Sequence, residues 1–313
     1  MICYNFNMDN KNNLEQKIAV IGAGAVGSTV AYTLMVKNLA SEIILVDINE
    51  EKVRGEVMDI NDGLSFSETQ NVKIGNYKDV ADADIIVLTA GVAQKPGETR
   101  LDLVVKNKNI ITSIFTEIGQ IKSSTIIIVV SNPVDIIAYL VQEISGLPKN
   151  QVFGTGMGLD SARLRSNLAK RFNIESEQVE GFVIGEHGDS EFVAWSTVSI
   201  GGKMVKDMLK EEEMNSIEET VKKEAYEIIN RKGATYYGIA MVVADVVEAI
   251  ILNQNKIIPV SSRLNNWNGV DNICLGTPAV IGNTGVVKLW PIELNPIEKE
   301  KLKKSAEIIR QYL

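Results

Sequence analysis

Lys17-Ile-Ala-Val-Ile-Gly-Ala-Gly-Ala-Val-Gly27, followed further on by Glu42-Ile-Ile-Leu-Val-Asp47, decides the fold. The stretch opens on an apolar run of buried-strand length, and Gly22, Gly24 and Gly27 follow without a spacer. A helical stretch to about Leu39 and a second apolar run complete a strand, a glycine turn, a helix and a strand, which together make a βαβ unit. In such a unit Gly22 permits the tight turn, Gly24 lets backbone approach a pyrophosphate, and Gly27 lets the helix pack closely on the strand. The helix N-terminus offers unpaired N–H groups to the phosphates. Asp47 ends the second strand, where a carboxylate accepts from both hydroxyls of an adenosine ribose and repels a 2′-phosphate. The unit therefore predicts a dinucleotide site that prefers NAD to NADP. A GxGxxG alone also marks ordinary turns, and Asp47 alone is equally a solvated strand end, so the reading rests on the whole unit.

Working outward, apolar runs at 71–74, 84–89, 125–131 and 152–153 are further strand candidates, with helical stretches between several of them. Their near-continuous Ile and Val content, without alternation, is what a parallel sheet covered on both faces requires. The expected class is α/β: a Rossmann doubly wound parallel sheet over residues 16–157, then an α+β substrate domain over 158–313. The second half is expected to hold long amphipathic helices and strands of more alternating character. Met214, Ile217, Val221, Ala225, Ile228 and Ile229 keep helical spacing, with Gly233 placed as a C-terminal cap. The last helix should start at Asn295, with Pro296 and Glu298 completing its cap. Its apolar side is expected to carry Ile297, Leu302, Ala306, Ile309 and Leu313. Residues 1–15 read as a flexible, Asn-rich extension without the basic and apolar regions of a signal peptide.

The chain has 313 residues, room for about two domains. Hydrophobic residues make up 45%, charged residues 23%, and mean hydropathy is +0.04, so neither a disordered chain nor a membrane protein is indicated. A net charge of -8 and a pI of about 5.0 disfavour nucleic acid or an anionic membrane as partner. No apolar run approaches the roughly 18 residues of a membrane span. Cys3 and Cys274 supply neither a disulfide framework nor a zinc site, and suit a reducing, cytosolic compartment. No metal is expected.

The chain has one histidine, His187, in Ile184-Gly-Glu-His-Gly-Asp-Ser190. A single histidine is often structural, but flanking glycines leave room for a ligand, and imidazole alone titrates near neutral pH unperturbed. If a proton moves with a hydride, His187 is its carrier. An imidazolium in a partly dry site needs a carboxylate on its other nitrogen, and Asp160 is the candidate. Asp160 and Arg163 stand three apart at the start of an expected helix, hence on one face. Arg163 has the planar fork suited to a substrate carboxylate. The alternative is a surface ion pair. Arg100 lies on a Pro- and Gly-containing segment after an apolar strand, placed to act as a lid that polarises a substrate carbonyl on closing. A solvated loop is the alternative for Arg100 and Gln94.

Gly22-Ala-Gly-Ala-Val-Gly27, Gln94-Lys-Pro-Gly-Glu-Thr-Arg100, Ser131-Asn-Pro-Val134, Leu159-Asp-Ser-Ala-Arg163, Gly185-Glu-His-Gly188 and Lys232-Gly-Ala-Thr-Tyr236 together resemble the bacterial L-lactate dehydrogenases. These motifs run in order over nearly the whole chain after the extension, and several are shared with malate dehydrogenases. The resemblance implies that His187 exchanges the hydroxyl proton, Asp160 orients it, Arg163 binds the carboxylate and Arg100 polarises the carbonyl. It also implies that Asn132 and Thr235 line the substrate and nicotinamide region. Val26, Lys52, Tyr77, Gly91, Val92, Ser113, Asn132 and Thr155 would lie around NAD. A homotetramer working in glycolysis and fermentation follows from the same resemblance.

Gln94 bears on the substrate. In this superfamily an arginine there resembles the malate type and a glutamine the lactate type. A second carboxylate left unpaired beneath a lid is costly, so Gln94 should disfavour oxaloacetate and favour pyruvate. Malate or longer-chain 2-hydroxy acids are the alternative within the class, with pocket volume near Thr235 and Ile239 left open. A non-catalytic NAD sensor is the alternative outside it. One position departs from the family: many bacterial members bind fructose 1,6-bisphosphate with an arginine matching Arg165 and a histidine seven residues before the catalytic one. Glu180 stands there and would repel sugar phosphates, so weak or absent activation is expected.

Overall fold

The computed structural model describes residues 15–92 and 100–313, without the side chains of residues 100 and 101. The expected extension and most of the expected lid, Gln94 included, lie outside the described residues. The first half runs β1 (Lys17–Ile21), α1 (Ala25–Val36), β2 (Glu42–Val46), α2 (Glu50–Asp62), β3 (Asn71–Ile74), α3 (Tyr77–Val80) and β4 (Ile85–Leu88). It continues with α4 (Arg100–Ile118), β5 (Ile126–Val129), α5 (Val134–Ile144) and β6 (Val152–Gly154). The second half opens with α6 (Gly158–Phe172) and five two-residue strands: β7 (Val179–Glu180), β8 (Val183–Ile184), β9 (Phe192–Val193), β10 (Ser199–Ile200) and β11 (Lys203–Met204). Then come α7 (Glu211–Lys232), α8 (Tyr237–Ile251), β12 (Lys256–Arg263), β13 (Cys274–Gly282), β14 (Gly285–Leu289) and α9 (Pro296–Arg310).

The main sheet has the order β14-β13-β12-β6-β5-β4-β1-β2-β3. The strands β1 to β6 pair in parallel, and strand order reverses between β1 and β4, which is the switch point where doubly wound sheets receive ligands. The apolar content explains the arrangement, since Ile85 to Leu88 and Ile126 to Val129 are buried at every position between helices on both faces.

The second half corrects one expectation. Its two long strands do not alternate: β12 joins the main sheet through Ser261 opposite Gly154, and β13 is buried along its whole length. Both extend the first sheet, so both their faces are covered. The last helix holds a second correction. Its capping box forms as expected at Asn295 and Glu298, and Leu302, Ala306 and Ile309 are buried against Ile184, Phe192 and Leu275. Ile297 and Leu313 are exposed: Ile297, five residues before Leu302, points about 140° round the helix from it, and Leu313 lies past the helix end at Arg310. Likewise α7 ends at a left-handed Gly233 as expected, but Val221 is the one fully buried apolar residue of its stripe.

Candidate active site

The turn after β1 is shaped by exclusion. Gly22 has φ +105°, and a Cβ there would stand 2.7 Å from Thr89 Oγ1 at the end of β4. A Cβ on Gly27 would overlap the Gly22 carbonyl oxygen, so the helix seats on the strand only with glycine there. Gly24 faces open space and caps α1 without any side-chain hydrogen bond, leaving the first N–H groups of the helix unpartnered by a side chain and accessible. Asp47 Oδ2 accepts from Ala23 N–H at 2.6 Å, fixing the carboxylate beside the turn. Beyond it lies a cleft of about 270 Å³ lined by Val46, Ile48, Val53, Ile74 and Tyr77. A cleft with these apolar residues and with Glu50, Arg54 and Asn76 in its wall, beside a carboxylate and next to accessible helix N–H groups, fits adenine, ribose and pyrophosphate in that order.

On the other side, α6 carries Asp160 and Arg163 inward, 2% and 7% exposed. Arg163 Nη1 donates to Asp160 Oδ1 at 2.8 Å, and Asp160 Oδ2 stands 3.1 Å from His187 Nδ1. Those last two atoms are fully buried, and Asp160 Oδ2 is the nearest carboxylate oxygen to Nδ1, with Glu191 Oε2 farther off at 4.0 Å. The proton on Nδ1 is therefore assigned toward Asp160, and the accessible part of the ring, 30% of the side chain, lies on the Nε2 side. The loop bearing His187 is held from below: Asp135 accepts from the His187 backbone N–H at 2.8 Å and from the Ser261 hydroxyl. Glu186 accepts from Ser190 N–H and Oγ, and Ser305 of α9 donates to the Ser190 carbonyl at 2.8 Å.

Charge follows from this geometry. Burial alone would lower the His187 pKa, but the Asp160 charge and hydrogen bond, with Glu191 and Asp135 behind, raise it to about 9. Burial opposes ionisation of Asp160, yet His187 and Arg163 hold it below the usual carboxylate range. Glu191, 4.0 Å from His187 Nδ1, is pushed up to about 8 by burial and by the Asp160 charge. At neutral pH the cluster therefore presents an imidazolium backed by one ionised carboxylate.

Two family models cover this chain: the NAD-binding domain of lactate/malate dehydrogenase over residues 16–154, and the alpha/beta C-terminal domain of the same family over 158–313. The chain belongs to the lactate/malate dehydrogenase family. An L-lactate dehydrogenase of Clostridium botulinum is 44% identical over 304 residues, 95% of this chain and 96% of that protein. One from Acetivibrio thermocellus is 43% identical over 311 residues, 97% and 98% of the two chains. The crystal structure of a lactate dehydrogenase from a Medee basin deep-sea metagenome library superposes with a TM-score of 0.92 at 40% identity, covering 96% of this chain and 98% of that one. The minor L-lactate dehydrogenase of Enterococcus mundtii, in its ligands-bound form, gives 0.92 at 39% identity over 96% and 98%.

As in other α/β dehydrogenases with NAD-binding domains, the candidate cofactor residues gather past the C-terminal ends of the parallel strands: Gly22 after β1, Asp47 after β2, Gly91 and Val92 after β4, Asn132 after β5 and the buried Thr155 after β6. Tyr77, half-buried, opens α3, and Val26 lies half-buried in the first turn of α1. Lys52 and Ser113 stand on exposed sides of α2 and α4. Thr235 is half-buried between α7 and α8, both of which pack on α6. Arg100 begins α4, its side chain outside the description.

Reading the motifs missed several residues. Asp135 directly follows the quoted Ser131-Asn-Pro-Val134, and an acidic residue in a first helical turn at a strand's C-terminal end was the available signal. Asn107, 1% exposed on α4, accepts from Val92 N–H at 2.9 Å and donates to the Asn132 carbonyl at 2.7 Å, tying the ends of β4 and β5 together. Ser261 carried no local signal, since its partner Asp135 is distant in sequence. Glu191 did carry one, standing four residues after His187.

Proposed function

We propose that this chain catalyses the reversible NADH-dependent reduction of pyruvate to L-lactate, with His187 as proton donor and acceptor. The observation that carries the reading is the buried line Arg163–Asp160–His187, open at Nε2 and pinned through Asp135 to the strand ends where the cofactor turn lies. NADH, when bound, supplies the hydride that reaches the carbonyl carbon.

The chain's own residues supply the rest. Arg163 Nη2 has no partner among the described residues, so the guanidinium keeps donors for a substrate carboxylate. That anchor aims the carbonyl oxygen at His187 Nε2, which gives up its proton as the alkoxide develops. Asp160 stabilises the imidazolium beforehand and retains the Nδ1 proton afterwards, so the neutral ring is ready to act as base in the reverse direction. Arg100 polarises the carbonyl on lid closure, Asn132 and Thr235 border the substrate, and Gln94 selects against a second carboxylate. The same reading makes the assembly a homotetramer in the cytoplasm, serving fermentation. Among the described residues no helix is long and apolar enough to cross a membrane.

NADH absorbance followed with pyruvate and then with oxaloacetate tests the assignment. Pyruvate should be turned over with the higher kcat/KM, and equal or greater turnover of oxaloacetate would replace this reading by the malate one. Fructose 1,6-bisphosphate should lower the pyruvate KM weakly or not at all: Glu180 is exposed on β7, accepts from the Ser199 hydroxyl at 3.3 Å, and presents its charge to an incoming phosphate. A severalfold fall in KM at micromolar effector would contradict this.

A further inference from the structure

The proposed substrate anchor has a second acidic neighbour. Besides Asp160, Arg163 faces Glu224 of α7, whose Oε1 stands 4.0 Å from Nε. The distance is too long for a hydrogen bond, and the carboxylate is 40% exposed, so nothing locks it in place. Glu224 has no other ionic or hydrogen-bonding partner among the described residues. Its neighbours along the helix, Thr220, Val221, Glu227 and Ile228, include no cation, while Lys222 and Lys223 are engaged by Glu218 and Glu219. Arg163 is thus the one cation this carboxylate meets within the described chain.

A guanidinium offers a carboxylate two edges, Nη1/Nη2 and Nε/Nη2. Asp160 takes a proton of the first, and Glu224 stands off the second. A substrate carboxylate docking on either edge comes close to a carboxylate of the protein. Asp160 is neutralised from its far side by His187, whereas Glu224 has no such relief.

We infer that Glu224 is a specificity-determining residue, an acidic sentinel beside the carboxylate anchor that weakens the docking of every anionic 2-oxo acid and weakens dianions more than monoanions. This rests on Arg163 being the anchor. It places a second discriminator against dicarboxylates at the opposite end of the substrate from Gln94. Two unit charges about 4–5 Å apart in a nearly aqueous setting repel by roughly 1 kcal/mol, about fivefold in affinity. Exposure makes the effect sensitive to salt, because the screening length is about 10 Å at 0.1 M ionic strength.

The test is steady-state kinetics at saturating NADH and low ionic strength on the full chain, comparing Glu224→Gln, Glu224→Asp and Arg163→Lys with the parent. Glu224→Gln should lower the pyruvate KM about fivefold, with kcat within about twofold, and raise kcat/KM for oxaloacetate by a larger factor. The gain should shrink as salt is added, and Glu224→Asp, which keeps the charge, should stay close to the parent. Arg163→Lys should raise the pyruvate KM by tenfold or more, since the fork is lost. An unchanged KM in Glu224→Gln beside a crippled Arg163→Lys would overturn the inference and leave the anchor standing. Equal shifts in the Gln and Asp variants would overturn it too, by showing that size and not charge is felt. A parental KM in Arg163→Lys would remove the anchor and the inference together.

Discussion

The turn after β1 and the cluster around His187 are built by opposite means. The turn is a backbone object: three glycines within six residues shape it, and Gly27 is required because a side chain would overlap a carbonyl three ångströms or less away in the same turn. The cluster is assembled from side chains of α5, α6, the loop before β9 and β12, brought together from positions as far apart as Asp135 and Ser261. A local device can be damaged by adding one methyl group; a distributed one is damaged by removing one charge. The two kinds of injury should separate cofactor binding from turnover.

The largest expected effect is on the distributed side. His187→Asn should reduce kcat by roughly 10²- to 10⁴-fold while leaving the NADH dissociation constant within about twofold by fluorescence titration. Loss of NADH binding in that variant would merge the two regions and break the comparison. Gly27→Ala should do the reverse. Overpacking of about 1–3 kcal/mol in the turn should weaken NADH by roughly ten- to a hundredfold and lower the melting temperature, with kcat at saturating cofactor much less affected. Undiminished NADH affinity would show that the turn yields where the geometry says it cannot. Asp135→Asn sharpens the comparison, because it leaves shape intact and removes the charge that accepts from both the His187 N–H and the Ser261 hydroxyl. About a tenfold loss in kcat is expected, with the pH dependence displaced toward lower pH, since the Asp135 charge helps to raise His187. An unchanged pH profile would reduce Asp135 to a loop brace.

The same contrast explains what could be read from the residues in advance. The βαβ unit was legible because its signals are neighbours in the chain: an apolar run, glycines at fixed offsets and an acidic strand end. The placing of Asp160 and Arg163 on one helical face was legible for the same reason, being one helical turn, whereas a direct pair between them was expected only as a surface alternative and is in fact buried. The capping of α9 at Asn295 and Glu298 was legible, and so was the exposure of Ile297, since five residues separate it from Leu302 and put it about 140° off the stripe that packs on Phe192 and Leu275. Whether β13 alternates or is buried throughout depends on which sheet it joins, which is a tertiary fact. Asp135 and Glu224 are ordinary acids until the fold places His187 or Arg163 beside them.

The account turns on an imidazolium held charged by its buried carboxylate, and the single histidine allows that to be seen without interference. Nitrogen-15 NMR of the labelled, substrate-free protein reports only this ring, and its titration midpoint is expected at about 9, against an ordinary 6.5. The sign carries a consequence for the fold: a raised pKa means the charged ring stabilises the native state fully below pH 6.5, and that contribution is lost as pH climbs through about 9. Pyruvate reduction should fade over the same upper range, and lactate oxidation should rise there. A midpoint near 9 that moves down in Asp160→Asn is the result expected; a midpoint near 6.5, unmoved by that substitution, would contradict the claim that Asp160 holds the proton in place.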